Sequence, residues 1–79
     1  MNQNEIEILN KNIGGMTLRE ASTFSFLQWV GNKINGVPAF TVEAVELSML
    51  VNNPPMSRKM SDDQKLQIIN KLLKLNVKI

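Results

Sequence analysis

Few side chains in this sequence could do chemistry, and their spacing argues against most of it. The 79-residue chain has no histidine and no cysteine. The commonest general base, the commonest metal ligand and the thiolate nucleophile are therefore missing together. A nucleophile would have to be a Ser, Thr or Lys activated by another group. The only adjacent acids are Asp62 and Asp63, and Glu43 and Glu46 lie three apart. Neighbours in a first helical turn point to different faces, so Asp62 and Asp63 read as charges favoured by the positive end of a helix dipole. Glu43 and Glu46 share a helix face and read as solvated surface. Gly14-Gly15 is not followed by Gly-Lys-Ser/Thr, so there is no phosphate-binding loop. The sequence points away from an enzyme and names no catalytic, cofactor-binding or metal-ligating residue.

Basic residues offer a second chemistry. Lys71, Lys74 and Lys78 repeat at three and four positions, which places them on one helix face able to follow phosphates. Arg58 and Lys59 could extend that face. Residues 58–79 carry six cations against Asp62 and Asp63, a net +4, whereas residues 1–57 carry three cations against five glutamates, a net −2. Lysines are favoured near a helix C-terminus for electrostatic reasons alone. The segment Thr41–Val51, which would be the recognition helix of a helix-turn-helix, has Glu43 and Glu46 and no base. Nucleic-acid contact through Lys71, Lys74 and Lys78 is therefore the second reading.

Association with another protein is the first. The stretch FSFLQWVGNKING, residues 24–36, packs Phe24, Phe26, Leu27, Trp29 and Val30 into seven positions. On a helix running from about Leu18 to Asn35, Leu18 and Trp29 fall close together, and Phe26, Val30, Ile34, Leu27, Phe24 and Ala21 continue round the circle. A helix that is apolar nearly all round is buried on more than one side. Three other short helices cannot easily surround it, so a second chain is expected to cover the remainder. Phe24, Phe26, Trp29 and Val30 are the expected interface residues.

The elements that must position these groups are set off by breakers and caps. A short helix is expected from Asn4 to about Asn12, with Ile6, Leu9 and Ile13 on one stripe and Gly14-Gly15 as its stop. A second opens at TLRE, where Thr17 and Glu20 can form a capping box, and ends at Asn35-Gly36. The third starts near Thr41, with Phe40 and Val45 in the relation of a hydrophobic staple and Val42, Val45 and Met49 on one stripe. Pro54 and Pro55 stop it. After the loop PPMSRKM, Ser61 and Gln64 make another capping box for a final amphipathic helix to about Asn76. On it Leu66, Ile69, Leu72 and Leu73 face inward, with Ile68 and Leu75 beside them. The expectation is a single all-α domain, residues 1–79: a small bundle of three main helices plus a short N-terminal one.

Composition sets the outer bounds. A hydrophobic fraction of 43% suits a folded chain rather than a disordered one. No stretch approaches the roughly 18 apolar residues of a membrane span. The polar, acidic start MNQNEIEILN does not read as a signal peptide. With no disulfide to form, the expected location is the cytoplasm.

From Leu18 to Leu75 the apolar spacing resembles that of the small enterobacterial connector proteins of the YmgB/AriR family. The similar features are the helix LREASTFSFLQWVGNKI, the stop at Gly36, the short apolar helix AVELSML and the final helix KLQIINKLLKL. Between the last two helices Asn52-Asn53-Pro54-Pro55 departs from that family's polar and acidic run. The resemblance implies a short all-α homodimer linked to two-component signalling, biofilm formation and acid resistance, and it carries over no functional residue. The expected function is thus a small non-enzymatic regulatory protein, without cofactor, whose partners are itself and an unidentified regulatory protein. The alternatives are a nucleic-acid-binding protein and a phage- or plasmid-encoded inhibitor of a host protein.

Overall fold

A computed structural model describes residues 2–79, so that Met1 lies outside the described residues. Four α-helices follow in order: α1 (Gln3–Leu9), α2 (Thr23–Ile34), α3 (Val42–Asn52) and α4 (Asp62–Lys74). The fold is the expected all-α bundle. Its extents of 30 × 27 × 21 Å leave room for one core, built where α2, α3 and α4 meet, with α1 laid against α4.

Local chemistry explains the helix starts. The Ser61 hydroxyl accepts from the Gln64 N–H at 3.1 Å, while the Gln64 side chain accepts from the Ser61 N–H at 2.9 Å. Thr41 Oγ1 caps α3 by accepting from the Ala44 N–H at 3.2 Å. Asn2 and Glu5 form a further reciprocal box at the start of α1. Each box satisfies N–H groups that a helix start would otherwise leave without partners.

The ends are equally local. Asn35 at φ −59°, ψ 122° and Gly36 at φ 84° turn the chain after α2, closed by the Val37 N–H donating to the Ile34 carbonyl. That positive φ is the reason for glycine. At the end of α4, Asn76 takes φ 60°, and the N–H groups of Asn76 and Val77 donate to the carbonyls of Leu73 and Leu72. This is a Schellman stop with asparagine in the left-handed position.

The core holds Leu9, Leu18, Phe26, Val30, Ile69 and Leu72 at 0% exposure. Gly31 sets the approach of α3 to α2, because a Cβ there would stand 3.3 Å from Val51 Cγ1.

Three expectations are corrected. The helix expected from Thr17 begins at Thr23, capped by Ser22. Thr17 and Glu20 do exchange both capping hydrogen bonds, but they close a single turn over residues 18–20. The staple does not form, since Phe40 is 91% exposed. On α4 Leu73 is 44% exposed, and Lys65 stands in the core in its place.

Candidate interaction surface

The late start of α2 answers how so apolar a helix is covered. Leu18 and Ala21 are not on it. They reach the core from the preceding loop, which folds back on itself through residues 12–17. There Asn12 Oδ1 accepts from the Gly14 and Gly15 N–H groups, and the Ile13 N–H reaches the Met16 carbonyl. Phe26 and Val30, expected at an interface, are fully buried inside the monomer, as Leu27 is at 3% exposure. Trp29 is half-buried, with its ring 5.9 Å from that of Phe26 and the Lys33 ammonium 5.7 Å from its centroid. Of the expected interface residues only Phe24, 74% exposed, stands out from the surface. The chain's own loop and neighbouring helices therefore cover most of α2.

A contiguous exposed apolar stripe lies on α3. Ala44 and Leu47 face the core, while Val42, Val45 and Met49 face away from it at 68%, 42% and 61% exposure. Phe40 stands exposed just before that stripe. Both sides of α3 are thus apolar, and the outward side carries side chains left largely exposed.

A second apolar feature is a groove of about 520 Å³ between the start of α2, the end of α3 and the loop that follows. Phe24, Leu27, Val51, Pro54 and Pro55 supply its apolar lining, and Arg58 lines it too. Thr23 also lines it, and the Thr23 N–H fastens the loop to the helix by donating to the Arg58 carbonyl at 2.8 Å. The Thr23 side chain is 4% exposed, and its Oγ1 has no hydrogen-bond partner.

The basic residues are not one free row. Lys71 is paired with Glu46 of α3 at 3.0 Å, whereas Lys74 and Lys78 are exposed. Lys65 contributes no surface charge. Its ammonium donates to the carbonyls of Leu18, Arg19 and Ala21 at 2.7, 2.9 and 2.8 Å and lies 5.5 Å from the Phe26 ring centroid. Burial pushes the Lys65 amine below the ordinary lysine value, with the charge of Lys59 acting in the same sense and Asp62 opposing. By charge count alone Lys65 belongs to the basic tail. The missed signal is its spacing, since Lys65, Ile68, Ile69 and Leu72 fall on one helical stripe.

At the loop's other end, hydrogen bonds from the Thr17 N–H and the Thr17 side chain hold the Glu20 carboxyl below its usual range; desolvation opposes this and the charge of Lys59 adds to it. Arg19 pairs with Asp62 at 3.0 Å, tying the same loop to the start of α4.

Among the described residues no group of three His, Cys, Asp or Glu side chains could hold a metal ion, and no helix is long and apolar enough to cross a membrane. No family model, curated protein or solved structure compared with the chain matches it.

Proposed function

We propose that this chain is a small non-enzymatic regulatory protein of the cytoplasm that acts through protein–protein contact, as a homodimer paired through α3. The exposed stripe of Val42, Val45 and Met49, with Phe40 beside it, is the observation that carries the reading. Contiguous apolar side chains on a small soluble domain are characteristic of association surfaces. A two-fold axis uses one patch twice, and an α3 stripe laid antiparallel on its copy is complementary to itself. Connection to two-component signalling rests on the YmgB/AriR-like spacing alone and belongs to the same proposal.

Sedimentation equilibrium of the wild type, Val42→Lys and Met49→Lys tests it. A wild-type dimer at tens of micromolar is expected, with both variants monomeric and unchanged in helicity by circular dichroism. A monomeric wild type would remove the second copy as the occupant of α3.

A further inference from the structure

The groove at the start of α2 is separate from the outward stripe of α3 and has a different chemistry. Its walls are apolar, yet a cation belongs to it. Arg58 makes no ion pair among the described residues. The first turn of α2 has no acidic residue to offset the positive end of the dipole. In that turn the Thr23 N–H is taken by the Arg58 carbonyl and the Ser25 N–H by Ser22 Oγ, which leaves the Phe24 N–H for a ligand.

We infer that this groove receives the C-terminus of a partner protein, a free carboxylate carried by an apolar last residue. A terminal leucine, isoleucine or valine bears its carboxylate and its apolar side chain on the same Cα. One residue then brings an anion to Arg58 and the helix start while its side chain lies against Phe24, Leu27 and Pro54. Capture of a C-terminal carboxylate by backbone N–H groups beside an apolar pocket is an established mode of peptide recognition.

The test is titration of the ¹⁵N-labelled chain with three peptides, read by amide chemical shifts. The first is acetyl-Gly-Ser-Gly-Leu with a free carboxylate, the second its C-terminal amide, and the third acetyl-Gly-Asp-Leu-Gly-amide. The free acid is expected to shift the amides of Thr23, Phe24 and Arg58 at millimolar concentration. The amide should bind roughly tenfold more weakly, the worth of one charge-assisted hydrogen bond. Arg58→Gln should abolish that difference, and Phe24→Ala should weaken both peptides. Equal binding of acid and amide overturns the inference. So does equal binding of the internal aspartate peptide, or shifts that fall outside the groove. Met49→Lys should bind the free acid like wild type, so this result and the oligomeric state are decided separately.

Discussion

Replacing Lys65 by Met should lower the melting temperature by at least about 8 °C, and the reasoning runs through three carbonyls. Methionine keeps most of the stem and removes the ammonium. The Leu18 and Ala21 carbonyls then lose their buried partner, while the part-buried Arg19 carbonyl can turn to water. Each orphaned buried acceptor costs about 1–3 kcal/mol, so the pair costs about 2–6 kcal/mol. A chain of 79 residues has a total stability of about 4–12 kcal/mol at the usual 0.05–0.15 kcal/mol per residue. At about 4–8 °C per kcal/mol for a domain of this size, the lower bound of about 2 kcal/mol gives about 8–16 °C.

An opposing effect makes this a real test. Burying a charge is costly, and apolar replacement of buried ionic groups has stabilised other proteins. There the whole polar set was replaced; here the carbonyls remain. Thermal melts followed by circular dichroism, with exposed Lys74→Met as the control, decide between the two. A Lys65→Met midpoint within about 3 °C of wild type, less than one kcal/mol at this size, would refute the argument. A rise would mean that desolvation of the ammonium outweighs the hydrogen bonds it makes.

Two further outcomes are expected. Ser61→Ala removes the cap of the helix that supplies Leu66, Ile69 and Leu72 to the core, and should cost about 0.5–2 kcal/mol in urea melts with an unchanged m-value. Because the Glu20 carboxyl is held below 4.5 in the fold, its contribution is fully present above pH 4.5 and is lost as pH falls through the lowered value. The Thr17 amide shift should therefore titrate with a midpoint below 4.5; a midpoint at or above it would remove the hydrogen bond between them.

What the sequence made legible was local. The box at Ser61, the cap at Thr41 and the stop at Gly36 each depend on residues within three or four positions, and all formed. The α4 stripe was legible in period, except that a lysine occupies a core position and a leucine a surface one. On α3 the period could not say which side faces in, because both sides are apolar: Ala44, Leu47 and Val51 on one, Val42, Val45 and Met49 on the other. The interface expectation failed at Phe26 and Val30 because it rested on a helix counted from Leu18.

The late start of α2 has a physical cause 47 residues away. A capping box closes one turn whether or not a helix continues from it, so the Thr17–Glu20 box forms without starting α2. Had α2 begun at Leu18, the carbonyls of Leu18 and Ala21 would have accepted from the N–H groups of Ser22 and Ser25. They accept from Lys65 instead, and the Ser25 N–H turns to the Ser22 hydroxyl, which starts the helix afresh. The buried lysine thus replaces a turn of helix by a bend. That bend brings Leu18 and Ala21 into the core and lets residues of the chain itself cover a helix that would otherwise need a partner. The apolar stripe left over on α3 is Val42, Val45 and Met49, which the described residues leave 68%, 42% and 61% exposed.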